Sequence, residues 1–323
     1  MDVAPVSVVI PAYNSKEFIG AAVTSVRAQT LPVSEIIVID DGSTDGTADI
    51  AAQLGVRVIR SEHRGISAAR NIGIREAQHE WIAFQDADDL WEPEKLECQW
   101  QASLLYPDVG LVSCDLVQWV IGEAKPTAGS SRYDDAAIRA SLRYIPEVNG
   151  SLAESIRFNS PAMLIRRELL LSVGLFDEDI EYVEGVECYL RIMARCAVVL
   201  VELPLVIQRI HQANTSANSV GMRLSWIKMV DAIRAQPDKY PAGAAQVLGK
   251  DIFEQLLPLG QILLAAGKTY EARELLRRSI KQRPSARALW WWTASFFPGP
   301  GRKRERAASD HTAVRGPSTS SAS

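Results

Sequence analysis

Ile36-Ile37-Val38-Ile39-Asp40-Asp41-Gly42-Ser43 carries the fold: a run of four β-branched residues stops abruptly on a polar, turn-forming cluster. A short apolar run bounded by turn signals predicts a strand buried on both faces, and such strands belong to parallel sheets covered by helices. The flanks agree. Upstream, Val6 to Ile10 is a second such run ending at Pro11, and Ser15 is placed to cap a helix whose apolar positions Ile19, Ala22, Val23 and Val26 recur at helical spacing. Downstream, Ala48, Ile50, Ala51 and Leu54 continue helically to Gly55, a C-cap residue. Val56 to Ile59, a helix from about Ile66 to Ala77, and a strand from Trp81 to Gln85 repeat the theme. The first half therefore reads as α/β. Its polar clusters, Pro11 to Asn14, Asp40 to Ser43 and Asp86 to Asp89, all lie just past strand ends, where open parallel sheets bind ligands.

At 323 residues and 47% hydrophobic, the chain has room for one large domain and an appendage. Lysine and arginine number 35 against 39 acidic residues, a net charge of -4, so no global field attracts nucleic acid. Cys98, Cys114, Cys188 and Cys196 form no CxxC pair and sit in apolar or helical stretches, as reduced thiols do. Met1 to Pro5 lacks the pattern of a signal peptide, and no stretch reaches the roughly 18 apolar residues that span a bilayer. The expected location is the cytoplasm.

The second half is less regular. A helix is expected from Lys95 to Leu105, a strand from Val109 to Cys114, a polar loop from Gly122 to Asp135, a helix from about Gly185 to Cys196, and a strand from Ala197 to Val206 interrupted by Pro204. After Gly221 only helical patterns occur. Asp251 to Ala266 and Thr269 to Gln282 resemble one tetratricopeptide-like hairpin, and a single copy makes no repeat array. The end of the chain joins Trp290-Trp291-Trp292 and Phe296-Phe297 to the basic run Arg302-Lys303-Arg304-Glu305-Arg306, then becomes rich in serine and threonine. It reads either as a peripheral contact, through Trp290 to Arg306, with the inner face of the cytoplasmic membrane, or as a closing helix followed by a solvated, disordered tail.

Three carboxylates within the four residues Asp86-Ala87-Asp88-Asp89 repel one another unless a cation or hydrogen-bond donors offset them. Mn2+ or Mg2+ suits such oxygens and keeps positions open for phosphate, which is what holding a nucleotide diphosphate as a leaving group requires. A dinucleotide-binding reading would need GxGxxG after the first strand, and Pro11-Ala12-Tyr13-Asn14 stands there instead.

Val6 to Asn14, Ile36 to Asp45, Gly65 to Asn71 and Phe84 to Asp89, in that order and spacing, resemble the family 2 glycosyltransferases. The resemblance is strong over about residues 5 to 95, moderate from 155 to 216 and absent beyond. It implies a Rossmann-like GT-A nucleotide-diphospho-sugar transferase fold over residues 1–220, with a donor half at 1–95 and an acceptor half at 96–220. A helical appendage at 221–297 and a tail at 298–323 would follow. The implied partners are a nucleotide-diphospho-sugar, with uridine the first choice, and a glycan, lipid-linked or protein acceptor. Pro11 and Tyr13 match positions that pack the base, with Ala12 and Asn14 beside them; Asp41 matches the carboxylate that reads the uracil, and Arg70, with Asn71 next to it, a residue near the base and diphosphate. Asp86, Asp88 and Asp89 match the metal and ribose motif, and His211, in Gln208 to Ser216, a histidine that approaches the metal.

The same resemblance exposes a break. Glu181 to Arg191 matches the segment that supplies the catalytic base of an inverting transfer, and Gly185 falls on the base position. Glu184 and Glu187 are the neighbouring carboxylates that could serve instead. The competing expectations are a non-catalytic nucleotide-sugar-binding module and, further off, a nucleotidyltransferase.

Overall fold

The computed structural model describes residues 3–126, 133–155, 159–211, 214, 219–250 and 252–296. The tail at 298–323, part of the polar loop and Gln212, Ala213, Thr215 and Ser216 lie outside the described residues.

The elements run β1 (Ala4–Ala12), α1 (Ile19–Arg27), β2 (Val33–Asp40), α2 (Thr47–Gln53), β3 (Arg57–Arg60), α3 (Ile66–Glu76), β4 (Trp81–Phe84), β5 (Leu90–Trp91), α4 (Lys95–Leu105), β6 (Val109–Val120), α5 (Asp135–Ala140), β7 (Leu142–Ile145), α6 (Gly150–Ser155), β8 (Leu164–Arg166), α7 (Arg167–Ser172), α8 (Glu184–Met193), β9 (Ala197–Ile210), α9 (Ser219–Ala235), α10 (Ala244–Leu248), α11 (Ile252–Ala265), α12 (Thr269–Gln282) and α13 (Ala286–Ala294). Among the described residues the strands form one sheet in the order β3-β2-β1-β4-β8-β6-β9-β5, with β7 on β9. The first four strands pair in parallel, and β8 joins β4 antiparallel.

β1 is central because nothing along it resists burial: Val6, Val8, Val9 and Ile10 are fully buried, each contributing about 1.5–3 kcal/mol. α3 lies directly on this strand. A Cβ at Gly73 would fall 2.3 Å from Val9 Cγ1, so glycine sets the helix depth and thereby the place of Arg70 one turn earlier. Gly55 terminates α2 in the left-handed conformation (φ +68°), as its position implies.

Two local expectations differ. Ser15 does not cap α1 with its side chain; the helix begins at Ile19 after a turn, and the Ser15 hydroxyl donates to Tyr13 O. β9 runs past its expected end at Val206, and its expected interruption is Pro204. It sits at an irregularity opposite Asp115, after which β9 resumes beside β6 and runs to Ile210. That continuation matters, because Leu90 and Trp91 pair with Ile207 and Val206, seating the end of β9 against the acidic cluster.

The chain divides into two compact units, residues 1–248 and 249–323. The first includes α9 and α10, which follow the change of sequence character at Gly221. Within the second, α11 and α12 pair through Leu256, Leu259, Leu263, Leu275 and Leu276, and Gly260 approaches Leu276 so closely that a Cβ would sit 2.8 Å from its Cγ. α13 adds to α12, its Ser285 side chain capping Ala288 N. No helix of the described residues is long and apolar enough to cross a membrane. The four cysteines are free thiols. Burial pushes Cys114 up to about 11 and Cys98, Cys188 and Cys196 to about 12.

Candidate active site

The loops after β1, β2, β3 and β4 meet, as the strand order requires. Asn14, at φ +45°, accepts from Thr44 N at 2.9 Å, and its own N–H donates to Ser43 Oγ at 2.9 Å. Ser15 N donates to Thr47 Oγ1 and Lys16 N to Asp45 Oδ2, so the β1 loop is stitched to the start of α2. Burial would raise the Asp45 carboxyl, yet hydrogen bonds from Thr47 and Lys16 hold it below its ordinary value.

Asp41 organises the next loop. Its two carboxylate oxygens accept from Arg64 N at 2.9 Å and Gly65 N at 2.8 Å, and His63 Nδ1 lies 2.9 Å from Oδ2. His63 then stacks on Tyr13 with ring centroids 4.0 Å apart, and Tyr13 is 47% exposed. A flat aromatic wall stands beside a carboxylate, the chemistry that a nucleobase carrying an N–H donor would meet. Pro11 and Ala12 end β1 beneath it, paired with Ile39 and Asp40.

Arg70 is the buried centre of the site. At 2% exposure it donates through Nη1 to Glu184 Oε1 at 2.6 Å and through Nη2 to Asp86 Oδ1 at 2.9 Å, with its guanidinium 5.5 Å from the Phe176 ring centroid. Burial alone would lower its basicity, but Asp86 and Glu184 outweigh that and raise it. Asp86 shows the reverse balance: burial, aided by Asp88 and Glu184, lifts its carboxyl above the ordinary range despite Arg70. Asp89, 3% exposed, is raised further by burial and by Asp86 and Asp88, although it accepts from Arg209 N at 3.0 Å.

Asp88 faces the end of β9. His211 Nε2 lies 3.2 Å from Asp88 Oδ2, Asn214 Nδ2 donates to the same oxygen at 3.2 Å, and the imidazole stacks on Phe18 at 4.4 Å. The Arg209 side chain reaches back to Asp88 O and Phe18 O. Asp88 and His211 fit a manganese or magnesium ion in kind, as an oxygen and an imidazole donor side by side; burial, and then the neighbouring carboxylates, raise Asp86 and Asp89. Among the described residues no three metal-binding side chains converge. Asp86 is taken by Arg70 and Asp89 by the Arg209 backbone, which leaves the fit to Asp88 and His211 and the remaining positions to phosphate and water.

Three expected roles are altered by these contacts. The Asn71 amide is consumed within the fold, donating to Phe176 O and Glu178 Oε1 and accepting from Phe176 N, so it braces the 176–178 loop instead of offering itself to a nucleotide. Arg70 spends its fork on two carboxylates, not on phosphate. Glu187 is 3% exposed, paired with Arg191 and accepting from Tyr240 OH at 2.6 Å, which fixes it in the core and removes it as a base. Glu184 differs: Oε1 is held by Arg70, and Oε2 is buried without a hydrogen-bond partner. At Gly185 a Cβ would lie 3.2 Å from Ser160 Oγ and 3.3 Å from Tyr189 Cε2, and the Tyr189 hydroxyl donates to Ser160 Oγ at 2.8 Å. A side chain there would press on both, and they would have to give by a few tenths of an ångström.

Sequence reasoning missed His63, Phe18, Arg209 and Tyr189 as parts of this site. Arg209 lies in the Gln208 to Ser216 stretch and could have been read; the others act through packing that no spacing announces.

Residues 7–173 match the family model described as glycosyl transferase family 2, which covers just over half of the chain. The chain belongs to that family. Relatives include an uncharacterised glycosyltransferase of Rickettsia typhi, 30% identical over 217 residues covering 65% of each chain. Another is a UDP-Glc:alpha-D-GlcNAc-diphosphoundecaprenol beta-1,3-glucosyltransferase of Escherichia coli, 36% identical over 103 residues, 31% of this chain and 41% of that one. The chain spans between 30% and 65% of the lengths of the first three curated relatives. Among solved structures, S. aureus TarS 1-349 in complex with UDP-GlcNAc aligns with a TM-score of 0.60 at 16% identity, covering 94% of this chain and 92% of that one. The mannosyltransferase PcManGT from Pyrobaculum calidifontis, in complex with GDP-Man and Mn2+, aligns at 0.55 and 21% identity, covering 91% and 86%. These likenesses establish the fold.

Proposed function

We propose that this glycosyltransferase moves a sugar from a UDP-sugar to a lipid-linked or envelope-glycan acceptor with inversion, assisted by Mn2+ or Mg2+. The observation that carries the reading is the convergence of the Tyr13–His63 wall, Asp41 and the Asp88–His211 pair at one end of the sheet. A UDP donor is supported by the carboxylate at Asp41 and by the UDP-GlcNAc named for TarS; a lipid-linked acceptor is supported by the diphosphoundecaprenol named for the Escherichia coli relative.

In this reading the stacked Tyr13–His63 pair forms a wall for the base and Asp41 orients it, while Asn14 and Thr44 keep the two loops at fixed separation. Asp88 and His211 would hold the metal, which neutralises the diphosphate as it leaves. Arg70 holds Glu184 fixed relative to Asp86. Glu184 Oε2, unpartnered and buried, is assigned to receive the acceptor hydroxyl proton as that oxygen attacks the anomeric carbon from the face opposite the leaving diphosphate.

The test is UDP release from UDP-sugars with undecaprenyl-diphosphate-linked acceptors, with and without manganese. Metal-dependent release, lost at least about a hundredfold in Glu184→Gln, supports the assignment. One observation favours a second reading, a binding module without turnover: the base position is Gly185 and the space beside it is filled by Ser160 and Tyr189. Tight donor binding without release across donors and acceptors would select it.

A further inference from the structure

The second unit presents a surface that donor chemistry does not use. On α13 the exposed positions are Ala286, Arg287, Leu289, Trp290 and Thr293, and of these Ala286, Leu289, Trp290 and Thr293, continued by Phe296, share one side of the helix as a stripe. Leu289 is 51% exposed, Trp290 60% and Phe296 52%. The opposite side is the packed one, with Ala288 fully buried and Ser295 4% exposed. Arg273 pins the end of the helix, donating to Ser295 O at 2.8 Å and lying 4.1 Å from the Phe296 ring centroid. The apolar stripe is therefore held outward by the packing of α13 on α12.

Its rim is basic. Lys281 and Arg283, at and just past the end of α12, and Arg287 on α13 are exposed beside it. From Lys268 to Arg306 the sequence holds eleven basic side chains and three acidic ones, Glu271, Glu274 and Glu305, in a chain whose net charge is -4. This positive surplus is concentrated in the stretch that also supplies the exposed aromatics, and the sequence continues past the described residues with Phe297 and Arg302 to Arg306.

We propose that α13 and the basic end of α12 form a peripheral docking surface for an anionic lipid bilayer, with Leu289, Trp290 and Phe296 entering the headgroup boundary and Lys281, Arg283 and Arg287 meeting acidic headgroups. The arrangement matches an interfacial helix, which combines aromatic and aliphatic side chains on one face with flanking cations. A second copy of the chain is a poorer occupant, because a self-complementary contact would set this basic rim against itself. Nucleic acid is also poorer, because it gives Leu289 no apolar phase to enter. Such a surface would bring the donor site to an acceptor that resides in a membrane, and to that extent it rests on the lipid-linked reading above.

The test uses the full chain, without any nucleotide sugar, co-sedimented with phosphatidylcholine vesicles that contain either no acidic lipid or about 30% phosphatidylglycerol. Binding to the acidic vesicles is expected, weakening as salt is raised. The double variant Leu289→Ser/Trp290→Ser should lose about tenfold or more in partitioning, and the triple variant Lys281→Glu/Arg283→Glu/Arg287→Glu should lose the preference for acidic vesicles. Both variants should keep the wild-type melting temperature, since every substituted side chain is exposed. Absence of vesicle binding, vesicle binding unchanged in both variants, a dimer in sedimentation velocity that Leu289→Ser/Trp290→Ser dissolves, or equally strong binding to an RNA oligonucleotide would each overturn the proposal. Vesicle binding without any sugar transfer would leave the docking surface standing and sink the transferase reading instead.

Discussion

Replacing Arg70 by methionine removes the cation that joins α3, the acidic cluster and α8. The substitution leaves Asp86 and Glu184, which lie on opposite arms of one guanidinium, without their shared partner. Arg70 is 2% exposed and Glu184 7%, so water cannot replace the lost donors, and breaking a buried ion pair from one side costs about 3–5 kcal/mol. At roughly 2–4 °C per kcal/mol for a unit of this size, the melting temperature should fall by about 6–20 °C. The pH dependence has a definite sign. Burial already lifts the Asp86 carboxyl above its ordinary value, and without Arg70 nothing opposes that rise, so the penalty is fully present at neutral pH and shrinks as acid protonates Asp86. Thermal unfolding of wild type and Arg70→Met between pH 5 and pH 7.5 should show the gap closing toward pH 5. Adding Asp86→Asn and Glu184→Gln to Arg70→Met should recover part of the loss, because the orphaned charges then disappear. A melting temperature within about 2 °C of wild type, or a gap that widens in acid, would refute this account of the ion pair.

Other perturbations follow from the same contacts. Asp41→Asn presents an amide N–H to Arg64 N or Gly65 N in place of an acceptor, and should weaken UDP binding by calorimetry about tenfold or more while costing roughly 1–3 kcal/mol of stability. Gly185→Asp should gain no transferase activity and should lower stability by about 1–3 kcal/mol, because its Cβ meets Ser160 Oγ and Tyr189; Gly185→Asp with Ser160→Gly should relieve the strain, and a strong gain of UDP release in the single variant would contradict the packing. Lys95, fully buried over the Trp91 ring with Nζ 2.7 Å from Gln99 Oε1, is pulled down to about 8 by burial. Between about pH 8 and the unfolded value near 10.4 the unfolded chain binds the extra proton, so stability should rise with pH across that window, and Lys95→Met should flatten the rise in urea unfolding.

Much of the first half was legible because parallel strands write themselves as apolar runs ending in polar turns, and β1 to β4 fall where those runs lie. The acidic cluster and Asp41 could likewise be placed at strand ends before any coordinate. What could not be read was occupancy: whether a polar group at the right place is free or already taken. Arg70 looked like a phosphate ligand and is a buried strut; Asn71 looked like a donor contact and holds Phe176; Glu187 looked like a base and belongs to Arg191 and Tyr240. Apart from Arg191, four residues along the same helix, these partners are remote, 53 to 114 residues away in the sequence for Tyr240, Phe176 and Glu184, where local pattern carries no information. Ser15 failed for the complementary reason, since a local preference for a cap was overridden by a turn at Asn14, and β9 outran Val206 because its pairing with β6 continues to Ile210.

The most direct test of the central claim is a calorimetric titration of UDP into the full chain with and without manganese, repeated for Asp88→Ala/His211→Ala. The account predicts that manganese tightens binding and that the double variant abolishes this gain while retaining the weaker, metal-free affinity set by Tyr13, His63 and Asp41. Equal affinity with and without manganese, or a metal effect that survives in Asp88→Ala/His211→Ala, would contradict it.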